Sequence, residues 1–217
     1  MKSLLNAVSS NLISGDAYIL IIKGILITAG ITIIAWIVST LIGMGLGYFM
    51  SYEKKIVSRI AECLSFLLRS VPVLLVALLF YYACYNDGAL PVIWLGAAIG
   101  LWGGGQMAEL IFNAVKSEQT FFTERLKDKL ERVFFSTVVW QAIEDAAFPI
   151  KRLAIHILQW STIAGYVAVN DLTEVMTSIG KRTMYPFFSV FFCIICYLAT
   201  TVVIELVYSI IMKHIKK

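Results

Sequence analysis

Five uncharged, largely apolar runs, at 24–50, 70–86, 88–108, 153–170 and 183–204, limit what this chain can fold into. A helix needs about 20 mostly apolar residues to cross roughly 30 Å of hydrocarbon, where its backbone polar groups must be satisfied internally. The runs therefore predict an all-α membrane protein with about five transmembrane helices. Composition agrees: 59% of the 217 residues are hydrophobic and 15% charged, against roughly 25% charged in a typical soluble domain. What lies between the runs is too short to bury a core of its own. The chain reads as one membrane domain, 1–217, with an amino-terminal extension at 1–16 and a polar segment at 116–132.

In the extension, Leu4, Leu5, Val8, Leu12 and Ile13 fall near helical spacing, which suits either a helix along the membrane surface or a frayed end. Ser3 to Gly15 lacks the basic, apolar and small-residue order of a cleaved signal peptide, so the first span is expected to be retained. A net charge of +4, scattered along the chain, excludes a nucleic-acid surface. Charge informs topology instead, because cytoplasmic loops collect Lys and Arg. Lys54, Lys55 and Arg59, the basic residues of 116–132, and Lys213, Lys216 and Lys217 outnumber Lys2, Lys23, Lys181 and Arg182 on the opposite side. The amino terminus is thus expected outside and the carboxyl terminus in the cytoplasm.

Cys63, Cys84, Cys193 and Cys196 lie in apolar surroundings and read as packing residues. A metal site at Cys193-x-x-Cys196 would need further ligands, and His156 and His214 are remote in sequence, so no metal is expected. Gly96-x-x-x-Gly100-x-x-x-Gly104 is a spacing that lets helix backbones approach closely. Neither this stretch nor Gly43, Gly45 and Gly47 forms a phosphate loop with its Lys-Ser/Thr, so the chain is not expected to be an enzyme.

Tyr85-Asn86-Asp87-Gly88 with Pro91 is turn chemistry that makes the second and third spans an antiparallel hairpin. Arg69 precedes the turn by about as many residues as Glu109 follows it, so at 1.5 Å per residue the two reach similar depth and can meet. An ionisable pair in a bilayer is either a structural or snorkelling pair or a contact for the transported solute. The fourth crossing is irregular: Glu144, Asp145, Lys151 and Arg152 interrupt it, and Pro149 is expected to break the helix. Its charges suit a protein-lined or wet surface. His156 and Gln159, three apart, share a face in the apolar stretch that follows.

Between the third and fourth spans, Phe121, Phe122, Leu126, Leu130 and Val133 recur at helical spacing among charges. That pattern predicts a short amphipathic helix, resting on its own membrane or docking into a cytoplasmic partner.

Several stretches resemble the permease subunits of ATP-binding cassette importers for polar amino acids. Arg69-Ser-Val-Pro72-Val-Leu-Leu, followed by Phe80-Tyr81-Tyr82, is similar to the family's Arg-Gly-Thr-Pro element. Gly105-Gln-Met-Ala-Glu109-Leu-Ile is similar to Gly-Ala-Tyr-x-Ala-Glu-Ile, and Val138-Val139-Trp140-Gln141-Ala142 to Val-Val-Leu-Pro-Gln-Ala. Ser161-Thr162-Ile163 through Asp171-Leu172 is similar to the family's Thr-Ser-Leu and downstream acidic-Leu turn. The cytoplasmic loop departs from the family: Thr123-Glu124-Arg125-Leu126-Lys127-Asp128-Lys129-Leu130 has no glycine, Phe112 stands where Arg is usual, and Gln159 where Lys is.

The resemblance implies a type I importer permease fold in the cell membrane, forming half of a path for amino acids or similar small polar solutes. It implies a cytoplasmic ATPase that binds ATP and Mg, with no cofactor in this chain itself. A second permease subunit, in a heterodimer if this loop is a degenerate one, and an extracytoplasmic binding protein complete the assembly. Phe121, Phe122, Glu124, Leu126 and Leu130 would couple to the ATPase. Arg69, Glu109, His156, Gln159, Ser161 and Thr162 are the polar groups offered to a solute, with 156–162 foremost. The rival readings are a substrate-capture subunit of a vitamin or metal transporter, and a small channel or ion-coupled carrier.

Overall fold

The structure, a computed structural model, describes residues 16–52, 54–84, 91–123, 146–167 and 169–215. The described residues form seven α-helices, with one 3₁₀ turn and no strand. They are α1 (Ala17–Met50), α2 (Lys55–Ser70), α3 (Val73–Cys84), α4 (Pro91–Thr123), α5 (Ala147–Trp160), α6 (Leu172–Thr183) and α7 (Pro186–Ile215). The 3₁₀ turn, Ser161–Val167, follows α5 directly.

The helices α1 and α7 are each long and apolar enough to cross a membrane, and α2 with α3 passes the same test as a broken pair. Helix α4, of 33 residues, carries no charge from Pro91 to Ala108. Helix bounds differ from the apolar runs for local reasons. Nothing between Glu109 and Thr123 stops a helix, so α4 continues through Lys116 into the polar segment instead of ending near 108. Likewise α1 begins at Ala17, seven residues ahead of its apolar run, and carries Lys23 exposed on its surface.

The second run, 70–86, holds the single helix α3, and a turn at its start separates it from α2. Pro72 disfavours helical backbone at the residue before it, and Val71 accordingly takes an extended conformation with ψ 133°. The chain turns there, and α2 and α3 meet at 91°. Helix α3 runs back along α4, with Phe80 packed on Trp94 at 6.4 Å between ring centroids, and at the end of α2 Arg69 reaches Glu109. The hairpin expected around 85–90 is therefore made by α3 and α4, although the turn itself lies outside the described residues.

Pro149, expected to break a helix, stands in the first turn of α5, and the segment from which it would separate α5 lies outside the described residues. Pro149 is the third residue of α5, within the first turn, where backbone N–H groups have no intrahelical acceptor to lose. Helix α5 has 14 residues, about 21 Å at 1.5 Å per residue, so the fourth run is divided between a short helix and the 3₁₀ turn. Val133 to Ile143, Glu144 and Asp145 lie outside the described residues.

Helices α1 and α4 form the central pair. Ile34, Val38 and Ile42 of α1 sit over Gly96, Gly100 and Gly104 of α4, and in return Ile111 of α4 sits over Gly47 of α1. Both numberings rise together, so the two helices are parallel and the chain between them must return, which α3 accomplishes. Helix α5 joins where Gly103 meets Ser39 and Ile157. At the far end of α1, Gly24 lies against the backbone of Leu172, and α6 and α7 close over it.

Candidate functional site

At the Met50 end of the central pair, two bonds tie α2 to α4. The Ser65 hydroxyl donates to the Gly105 carbonyl at 3.0 Å, and one turn further Arg69 donates to the Glu109 carboxylate. Gly105 permits this approach, since a Cβ there would lie 2.9 Å from the Ser65 carbonyl oxygen. The guanidinium also stands 5.8 Å from the Phe66 ring centroid. Both charged side chains remain about one-third exposed. They open on a cavity of about 490 Å³, bounded also by Arg59, Glu62, Phe112 and Asn113. Two guanidinium groups face two carboxylates, so the cavity has little net charge to offer an ion.

A second cavity, of about 480 Å³, lies at the other end between α5, the 3₁₀ turn, α6 and α7. Gln159 and Thr162 line it, with Thr173, Thr177, Tyr197 and Thr201. The Thr162 hydroxyl donates to the Gln159 carbonyl at 2.8 Å, and that of fully buried Ser161 to the Leu158 carbonyl at 2.7 Å. Each hydroxyl keeps an acceptor lone pair. The wall behind them is rigid. Buried Asp171 caps α6 by accepting from the Glu174 N–H at 3.0 Å, and Tyr197 shares its hydroxyl with Thr173 at 3.0 Å. Thr28 of α1 accepts from the Leu172 N–H at 3.1 Å, fixing the whole turn to the central pair.

The six candidate solute-contacting residues thus do not converge. The two cavities share no lining residue; Trp160, next to Gln159, packs on Trp102 with ring centroids 5.8 Å apart, and Trp102 precedes Glu109 by seven residues, about 10 Å along α4. Arg69 and Glu109 form one locus; Gln159 and Thr162 belong to the other with Ser161 behind them. His156 is exposed on α5 and lines neither cavity. His156 and Gln159 both stand on α5, but only Gln159, in its last turn, reaches the cavity, and the 3₁₀ turn that follows carries the polar wall toward α6. Of the five coupling residues, Glu124, Leu126 and Leu130 lie outside the described residues, as do the side chains of Phe121 and Phe122.

Two features were missed in the sequence. Asp171-Leu-Thr-Glu174 has the spacing of a helix-capping box, a signal that marks the start of α6. Lys151 and Glu205, bonded at 2.7 Å between α5 and α7, are 54 residues apart, and no local pattern connects them. Among the described residues no cluster of His, Cys, Asp and Glu could hold a metal ion, and Cys193 is buried in the packing between α1, α6 and α7.

A family model described as binding-protein-dependent transport system inner membrane component matches residues 39–217. Among solved structures, an amino acid ABC transporter crystallised with histidines superposes with a TM-score of 0.74 at 19% identity, covering 90% of this chain and 94% of that one. An inward-facing form of the MetNI methionine ABC transporter superposes with a TM-score of 0.73 at 13% identity, covering 94% of this chain and 100% of that one. At such identities the likeness concerns the fold. A comparison with curated protein sequences finds no match.

Proposed function

We propose, from the premise that this chain belongs to the family of binding-protein-dependent transport system inner membrane components, that it forms half of the membrane path of an importer for amino acids or similarly small polar solutes. The observation that carries the solute class is the cavity bounded by Gln159, Thr162, Thr173, Thr177, Tyr197 and Thr201. Its volume lies within the roughly 300–1,000 Å³ of small-molecule sites, and an apolar wall with a few hydroxyls and an amide orients a ligand of no net charge. A zwitterion has that balance. The solved structures with the same fold, an amino acid and a methionine transporter, point the same way.

Energy comes from a separate cytoplasmic ATPase holding ATP and Mg, which grips the polar segment 116–132. Helix α4 runs without interruption from Gly96, Gly100 and Gly104 to Thr123, so a push on that segment is transmitted to α1 as a rigid-body displacement. A second permease subunit faces this one, and an extracytoplasmic binding protein delivers solute when the path opens outward. The excess of Lys and Arg supports a cytoplasmic position for 116–132 and the carboxyl terminus.

In the reconstituted complex with its binding protein, a panel of amino acids is expected to stimulate ATP hydrolysis selectively; stimulation by none of them removes the amino-acid reading. Leu126→Asp with Leu130→Asp is expected to abolish co-purification of the ATPase while leaving the permease in the membrane. Retained association would move the docking surface elsewhere. A chain that conducts solute alone, without any ATPase, would favour the channel reading.

A further inference from the structure

We infer that α2 is an interfacial helix, lying in the plane of the membrane at the Met50 end of the bundle and seated on an anionic lipid surface. The inference rests on membrane residence, not on which solute is carried. Helix α2 buries one narrow face, with Ala61 and Ser65 against α1 and α4. On the opposite side Ile56, Ile60, Leu64 and Leu67 recur at helical spacing and are 75%, 64%, 45% and 53% exposed. Beside that stripe run Lys55, Arg59 and Glu62, and Lys54 precedes the helix. An apolar stripe flanked by basic residues is the pattern of a helix held at a headgroup boundary, its apolar side roughly 5–10 Å deep.

Orientation comes from the fold. Helix α3 runs back along α4, which lies parallel to α1, a helix long and apolar enough to cross a membrane, and α2 stands at 91° to α3, so α2 crosses beneath the central pair instead of extending it. Depth comes from a separate observation. Tyr48, Phe49 and Tyr52 stand half-exposed at the end of α1, with ring centroids 5.4 and 6.0 Å apart from Tyr48 outward. Aromatic rings of this kind collect at membrane–water interfaces. Lys54, Lys55 and Arg59 follow immediately, where anionic headgroups attract them. The apolar stripe of α2 is thus continuous with the lipid-facing surface of α1, and the cavity at Arg59, Glu62 and Arg69 opens on its polar flank.

The test uses the full chain in lipid nanodiscs, with native cysteines replaced and a spin label introduced by Ile60→Cys, Leu64→Cys or Glu62→Cys. Labels at 60 and 64 are expected to be accessible to oxygen and shielded from a water-soluble nickel relaxant, about 5–10 Å below the phosphates, with the reverse at 62. Nickel access at 60 and 64 overturns the inference. Shielding from both reagents would assign the stripe to a second protein copy, and a depth near the bilayer centre would make α2 a crossing helix; either result also overturns it. The headgroup part is read with native cysteines in place. Discs with phosphatidylglycerol are expected to raise Tm by about 2–4 °C over phosphatidylcholine discs, and Lys54→Gln, Lys55→Gln and Arg59→Gln together to erase that difference. A difference that persists in the triple variant, or none in the parent, refutes the anionic seat.

Discussion

Replacing Gly100 by valine is expected to lower the melting temperature of the purified protein by roughly 5–10 °C. A Cβ at that position would lie 2.6 Å from the Cβ of Val38 and 2.9 Å from the carbonyl oxygen of Ala35. Neither neighbour can give way cheaply. Val38 is β-branched and held to one rotamer in a helix, and the Ala35 oxygen is backbone. The helices α1 and α4 must therefore separate, and separation is transmitted to Gly96 over Ile34 and Gly104 over Ile42. Between helices in lipid no hydrophobic force compensates for the lost van der Waals contact, so an overpacking cost of about 1–3 kcal/mol is expected in full.

Two further variants make the explanation specific. Val38→Ala should recover part of the loss, since residues in direct contact show interaction energies of about 0.5–3 kcal/mol. Gly45, on the same α1, has nothing within 4 Å of its Cβ position; Gly45→Ala should melt at or above the parent, because alanine is favoured over glycine in a helix by about 1 kcal/mol. Thermal unfolding of the four proteins in one detergent decides it. Equal melting of Gly100→Val and parent would mean that close approach of α1 and α4 does not hold the bundle.

That interface also marks what a reader of the sequence can and cannot reach. Glycines at 96, 100 and 104 announce a close helix contact by spacing alone, but their partner is α1, which lies across two intervening helices. Local spacing carries no information on pairing between elements that are not consecutive. Arg69 and Glu109 were traceable because a turn lies midway between them, which fixes relative depth by counting. Lys151 and Glu205 have no such symmetric turn, and their pairing depends on how α6 folds back between α5 and α7.

The effect of proline depends on where the helix starts. Pro72 sits inside an apolar run yet ends α2, because Val71 cannot stay helical before it. Pro149 sits among charges that resemble an interruption, yet it falls in the first turn of α5 where its missing N–H costs nothing. Hydropathy, summed over windows, registers neither position. His156 and Gln159 share a face of α5, whereas Ser161 and Thr162 belong to the 3₁₀ turn, so one helical face does not carry all four.

The Arg69–Glu109 pair offers the second large effect and resolves its own two readings. Arg69→Glu alone places two carboxylates together, and Glu109→Arg alone two guanidinium groups, each beside the buried Ser65–Gly105 bond. Removing one partner of a fully buried pair costs about 3–5 kcal/mol; with each side chain about one-third exposed, roughly half of that is expected. Each single variant should lose membrane yield and melt lower, and the exchange Arg69→Glu with Glu109→Arg should recover most of both. The readout that discriminates is solute-stimulated ATP hydrolysis by the assembled complex carrying the exchanged pair. A strut between α2 and α4 is indifferent to the direction of its dipole, so recovery of activity with stability identifies a structural pair. Recovery of stability without activity means that the guanidinium must stand on the α2 side for a solute or a moving neighbour to meet it. The positions of Phe66 and Asn113 around the same cavity would then be the next to probe, because they face the charge that the exchange reverses.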